Sequence, residues 1–421
     1  MEHQSRIYAI VDYEDDYVQP LLLTALKDRL PPELSVLIND TSELPDPDSR
    51  LLQWRQYESV DFSHLMSNSS SSMANSYVIR KALIRKHYLS MTVAHWNTKH
   101  PGSDLRKHVK PSVDFEVDYA EFLDDALVEA WELKESWTRN EGKEEGAREW
   151  WILKPGMSDR GQGIRLFSTE DELRSIFEGW DPESDEEDED EAARGEHEEE
   201  HNGANGIMTS QLRHFVAQPY IHPPLLLSPP HPSAGRKFHI RTYVLAVGAL
   251  RLYVYKPMLA LFAAEPYTPP STTSDPNEHL SKHLTNTCLQ TGEREGSVEL
   301  FWSLPPSDLD KDLVFDQICS TSAEVFEAAA RSMSIHFQPL PNAFEIFGLD
   351  FLVDAEGTAW LLEVNAFPDF RQTGEELSGL VQGLMDGVVD VAVKPFFGIG
   401  VEERDGEGNM SKVLDIDLGR R

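Results

Sequence analysis

The sequence predicts an α+β protein in which a small α/β lobe opens the chain and antiparallel strands build most of the rest. Three observations carry this. The start, RIYAIVDY, YVQPLLLTALKDRL and LSVLIND, reads strand, helix, strand, with Pro31-Pro32 as the break. GRKFHIRTYVLAVGALRLYVYKPMLALF supplies three consecutive antiparallel strands rich in Tyr, Val and Leu. Residues 344–370, FEIFGLDFLVDAEGTAWLLEVNAFPDF, form a strand pair that sets Asp350, Glu363 and Asn365 into otherwise apolar β-sequence.

Composition bounds the reading. A chain of 421 residues buries a large core and divides into two or three lobes. It is 40% hydrophobic and 26% charged, and no apolar run approaches the roughly 18 residues of a membrane span. The start, MEHQSRIYAIVDYEDD, lacks the basic opening and apolar core of a secretory signal. Cys288 and Cys319 are too few for a disulfide framework or a thiolate zinc site, so a cytoplasmic, reducing setting is expected. A net charge of −35 argues against nucleic acid as a partner. Asp181 to Glu200 holds thirteen acidic residues and one Arg. A disordered insertion is therefore expected over 181–206, read first as a solvated loop and second as a docking tail for a basic partner.

The remaining elements follow in order. Domains are expected at 1–75 (the α/β lobe), 76–212 (a central lobe), 213–400 (a C-terminal lobe) and 401–421 (a tail). One helix is predicted from Tyr77 to Trp96, carrying Arg80, Lys81, Arg85 and Lys86, and another from Tyr119 to Trp137. EWWILKPGMSDRGQGIRLFSTEDELRSIF reads strand, glycine-rich turn, strand, then a helix capped by Ser168 or Thr169 with Glu172 following. A strand resumes at His214 to Gln218, a long helix runs from about Ser307 to His336, and TGEELSGLVQGLMDGVVDVAVKPF closes the fold as a helix.

Three groups of residues suit chemistry. Glu363 and Asn365, two apart in a strand, share a face. With a four-residue loop over Asp354 to Gly357, Leu361 falls opposite Asp350 and Gly348 opposite Glu363, which brings Asp350 to the same face. Such oxygen donors suit Mg²⁺; the alternative is an exposed polar face. In the loop from Lys154 to Gly163, Gly161 and Gly163 let backbone N–H groups approach phosphate while Lys154 neutralises it, although a strand follows where a Walker loop requires a helix. Lys237, His239 and Arg241 alternate on one strand face, with Lys256 on the next strand, and suit phosphate or carboxylate. Gln218 to Ile221, including Tyr220, form a hinge whose backbone could bond a base edge; His283 to Asn286, HLTN, offer polar side chains in a loop. Cys288 lacks a dedicated base and reads as structural.

Taken in order, WILKPGMSDRGQGI, VAQPYI, RKFHIRTYVL, LYVYK, EPY, HLTN, FGLDFLVD and LLEVNAFP resemble the tubulin-tyrosine ligase family, whose catalytic unit is an ATP-grasp fold. The resemblance spans roughly 150–370, and FPDFRQTG looks most like fungal members. It implies ATP held between antiparallel sheets, Lys154 and the glycine loop on the phosphates, and Gln218 to Ile221 as the adenine hinge. It further implies Lys237, Arg241 and Lys256 on ATP and the substrate carboxylate, His283, Thr285 and Asn286 near the nucleotide, Lys81 as a nucleotide contact, and Mg²⁺ on Asp350, Glu363 and Asn365. His239 stands where the family has an Asp near the ribose, and Pro219 where a hinge Lys is common. The activity implied is an ATP-dependent amide ligation, with Arg241, Lys237 and Glu363 catalytic. By resemblance it joins tyrosine to the α-tubulin C-terminus; the alternatives are addition of glutamate or glycine to another protein, and a non-catalytic nucleotide- or protein-binding module.

Overall fold

A computed structural model describes residues 6–156, 163–180, 214–271, 276–285, 297–373, 377–400 and 408–419. The acidic stretch 181–206, Gly161, Asn286 and Cys288 lie outside the described residues. The chain forms two compact units: 1–110, 221–268 and 281–421 make the first, and 111–220 with 269–280 the second.

The first unit opens as expected from its apolar spacing. β1 (Ile7–Asp12), β2 (Ser35–Leu37), β3 (Arg50–Arg55) and β4 (Ser72–Ala74) pair in parallel in the order β2-β1-β3-β4, with the helix Val18–Arg29 crossing between β1 and β2. β1 is apolar up to its last residue, and the four central residues of β3, Leu51 to Trp54, are buried, as in parallel strands covered on both faces. The Tyr77–Trp96 helix is interrupted. The Tyr77 N–H donates to the Glu345 carboxylate and the Ile79 carbonyl accepts from Gln338, so the backbone there is committed elsewhere. Arg85 is extended (φ −99°, ψ 121°), and separate helices run Lys81–Ile84 and Lys86–Lys99.

The second unit carries β5 (Val113–Glu116), β6 (Trp151–Pro155), β7 (Arg165–Phe167) and β8 (His214–Pro219), all antiparallel in the order β5-β8-β6-β7. Phe115, Trp151, Leu153, Phe215 and Ala217 fill one face and pack with Leu173 and Phe177 of the helix Glu170–Glu178. That helix opens on a capping box: Thr169 Oγ accepts from the Glu172 N–H, and the Glu172 carboxylate accepts from the Ser168 N–H. The Tyr119–Trp137 helix is also interrupted, into short turns over 120–126 and a helix Trp131–Asn140. This break lets Leu123, Leu127, Ala130 and Leu133 all reach one core.

The larger sheet belongs to the first unit. β9 (Arg236–Val247), β10 (Arg251–Tyr255), β11 (Leu259–Pro266), β12 (Val298–Leu300) and β15 (Met410–Asp415) follow the order β12-β11-β9-β10-β15, and β13 (Phe344–Val353) pairs β9 on one side and β14 (Ala359–Ala366) on the other. The helix Lys311–Ser332 packs Val314, Ile318, Val325 and Phe326 onto one face; the helix Ser378–Val388 packs Leu384, Met385 and Val388 into the other core. No described helix is long and apolar enough to cross a membrane.

Candidate active site

The β13–β14 hairpin brings its polar residues to one face by a register two residues from that predicted. Val353 pairs with Ala359 instead of Thr358, and the ladder shifts again between Asp350 and Phe351, leaving Leu362 as an unpaired bulge. Asp350 therefore faces Glu363, and Gly348 faces Asn365. Two one-residue offsets restore the parity of a two-residue period, so all three polar residues still share a face.

Across β13 lies Arg241, the register partner of Asp350 on β9. Its Nε and a terminal nitrogen donate to the two Asp350 oxygens at 2.5 and 3.0 Å, in a pair that is almost fully buried. Burial alone would lower the Arg241 pKa, but the Asp350 carboxylate overrides it and the guanidinium is held charged. Gly348 makes the approach feasible: a Cβ there would sit 2.9 Å from Pro368 Cβ and 3.4 Å from Arg241 Cδ. His239, also buried, places Nε2 3.6 Å from Asp350 and shares a hydrogen bond of 2.5 Å between Nδ1 and Thr285 Oγ1. Its pKa is pushed down by burial and by Arg241 against the pull of Asp350, so the ring is neutral near pH 7.

Glu363 accepts from Asn365 Nδ2 at 3.1 Å and lies 3.7 Å from Lys86 Nζ. The helix starting at Lys86 thus supplies the cation that offsets the second carboxylate. Among the described residues no group of three His, Cys, Asp or Glu side chains could hold a metal. The donor set here is instead two carboxylates, register partners across the strands, and one amide that donates its Nδ2 to Glu363. These are hard oxygen donors of the kind Mg²⁺ takes, with positions left for water and phosphate, so the residues fit the ion.

The other expected residues are placed as follows. Lys237 is buried on the Arg241 side of β9. Lys256 follows the last residue of β10, is exposed, and lies with Nζ 5.3 Å from the Trp302 ring centroid; continuing the β9–β10 register puts it on the opposite sheet face from Lys237, His239 and Arg241. Lys81 is the exposed first residue of its helix. His283 and Thr285 are buried, His283 edge-on to Tyr267. Ile221 is buried in the same unit.

In the second unit, Lys154 Nζ donates to Gln218 Oε1 at 3.0 Å, on the sheet face opposite the aromatic core. The Tyr220 N–H donates to the Trp150 carbonyl, so of the hinge N–H groups this one is already used. Gly163 has φ +72°, a left-handed conformation that favours glycine. Cys319 is half-buried and its thiol is pushed up to about 12 by burial, so it is inert.

Sequence reading missed Gly348 and Lys86 as working parts of this face. The first had a signal, a lone glycine inside an apolar strand; the second pairs with a residue 277 positions away and had none.

A solved structure described as the C-terminal domain of K. lactis Pby1, an ATP-grasp enzyme interacting with the mRNA decapping enzyme Dcp2, matches with a TM-score of 0.71 and 36% identity, covering 98% of this chain and 99% of that one. The fold is thus the ATP-grasp fold expected. The family model described as the tubulin-tyrosine ligase family matches residues 65–398. A "probable tubulin–tyrosine ligase" of Schizosaccharomyces pombe is 47% identical over 417 residues, covering 97% of each chain. The "probable tubulin–tyrosine ligase PBY1" of Saccharomyces cerevisiae is 42% identical over 420 residues, and the match spans 54% of that protein. The chain belongs to the tubulin-tyrosine ligase family.

Proposed function

We propose that the chain is an ATP-dependent carboxylate–amine ligase that joins an amino acid to a protein carboxylate. The observation that carries this is the face shared by Arg241, Asp350, Glu363 and Asn365, where two carboxylates are held against each other by cations from β9 and from the helix Lys86–Lys99. Family membership supports the reaction class. Asp350, Glu363 and Asn365 would hold Mg²⁺, which when bound offsets phosphate charge. Lys154, Gly161 and Gly163 are the proposed phosphate contacts, Gln218, Tyr220 and Ile221 the adenine contacts, and Lys81, His283, Thr285 and Asn286 further nucleotide contacts. Arg241 and Lys237 orient the acceptor carboxylate and the transferred phosphoryl group, stabilising charge as it develops. The acceptor carboxylate displaces ADP to give an acyl phosphate. The amine then attacks the carbonyl carbon, phosphate leaves, and the amine loses its proton as the amide forms.

The finer proposal is tyrosine on the α-tubulin C-terminus, supported by the names of two relatives; others at 25 and 26% identity are described as a probable polyglutamylase of α-tubulin and a protein polyglycylase. The test supplies ATP, Mg²⁺, each labelled amino acid and an α-tubulin tail peptide, then a cell extract, and maps products by mass spectrometry. Tyrosine on the tail supports the finer reading, and another amino acid or acceptor replaces it. Absence of both ADP and amide in every pairing defeats the ligase. A binding module is the second reading, favoured by the Pby1 neighbour, described as interacting with Dcp2, and by the replacement of the ribose-side Asp by His239.

A further inference from the structure

We infer that the second unit carries a docking face, on residues 119–135, for a basic segment of another protein that presents an apolar anchor. Among the described residues nine large hydrophobic side chains are exposed, and four of them, Tyr119, Phe122, Val128 and Trp131, fall in this one stretch, with Trp131 65% exposed. They are not surplus from a poorly filled core. Leu123, Leu127, Ala130 and Leu133 of the same stretch are buried and already close it against β5, β6 and β8. The outward side chains of the segment thus include four large apolar ones among its carboxylates. Exposed aromatics concentrated in this way mark contact surfaces, and Trp and Tyr are the side chains that most often anchor them. Tyr119 and Phe122 lie edge to face at 6.3 Å; Lys134 reaches back over the Trp131 ring, 5.7 Å from its centroid, and donates to the Val128 carbonyl at 3.2 Å, which holds the second pair together.

Charge selects the occupant. The stretch holds six carboxylates and one lysine. Asp124 is paired with Arg174 and Glu135 with Arg139, while Glu121, Asp125, Glu129 and Glu132 make no ion pair among the described residues. An aromatic patch rimmed by unbalanced carboxylates repels an anionic lipid surface and an acidic peptide. A second copy of this chain, at net charge −35, brings mostly like charge to the contact. A lysine- or arginine-rich segment carrying a leucine or aromatic side chain satisfies both features. This face would recruit a partner other than an acidic acceptor tail, and it does not depend on the ligase reading.

The test uses the full chain and a fluorescein-labelled amphipathic peptide of lysine and leucine, followed by anisotropy. Saturable binding is expected, weakening as salt rises and at least about tenfold weaker for Phe122→Ser combined with Trp131→Ala. A charge-matched peptide of lysine and serine should bind the wild type and the double variant equally weakly. Both substituted side chains are exposed, so an unchanged thermal midpoint is expected. In addition, crosslinking of the lysine–leucine peptide to the wild-type chain should map to 119–135, a readout that needs no variant. The inference is overturned if the double variant binds the lysine–leucine peptide as tightly as wild type, if crosslinks map elsewhere, if no saturable binding occurs, or if the same substitutions instead abolish self-association or anionic-vesicle binding.

Discussion

The two sheets bury their cations in different ways. In the larger sheet charge meets charge: Arg241 clasps Asp350, Lys86 stands by Glu363, and Arg80 Nε lies 3.0 Å from Glu345 on β13. In the sheet of the second unit the buried Lys154 donates to a neutral amide, that of Gln218. A charge pair fixes geometry before any ligand arrives, but it makes each partner costly to remove.

Removing one side of the tightest pair should break the contrast most visibly. Arg241→Ala leaves Asp350 buried without its partner and should cost about 3–5 kcal/mol in denaturant unfolding. Next comes the pair at Glu345, whose carboxyl is pushed up to about 7 by burial against the pull of Arg80. The folded state therefore holds a proton that the unfolded chain releases earlier. Stability from this group is full below the ordinary carboxylate pKa, falls as pH rises to about 7, and is level above. The fall is on the order of 3 kcal/mol, and Glu345→Gln should flatten the pH profile of the melting midpoint. Gly348→Ala pushes a methyl against Pro368 and Arg241 and should cost about 1–3 kcal/mol by the same unfolding assay. The smallest effect belongs to the other sheet: Lys154→Met deprives Gln218 Oε1 of a donor and should cost only about 1 kcal/mol. A loss there as large as that of Arg241→Ala would erase the distinction.

What was legible in the sequence follows from periodicity. The α/β opening, the strands of the larger sheet and the capping box at Thr169 were readable because their signals are local. The common face of Asp350, Glu363 and Asn365 was readable although its register was not, since two single-residue offsets cancel in parity. Helix continuity failed where tertiary bonds compete: Tyr77 and Ile79 give their backbone groups to Glu345 and Gln338, far along the chain. For the same reason the Lys86–Glu363 pairing had no sequence signal. Lys256 was grouped with Lys237 and Arg241 by charge and by the family resemblance, whereas it stands beside Trp302 just after β10.

The most direct measurement follows ADP and amide formation together, with wild type and Glu363→Gln, in ATP, Mg²⁺, labelled amino acids and acceptor peptides. If the carboxylate face serves ligation, wild type forms both products in step and Glu363→Gln, still folded by its melting curve, forms neither. Equal product from the two proteins, or no ADP and no amide from wild type with any acceptor, would contradict it.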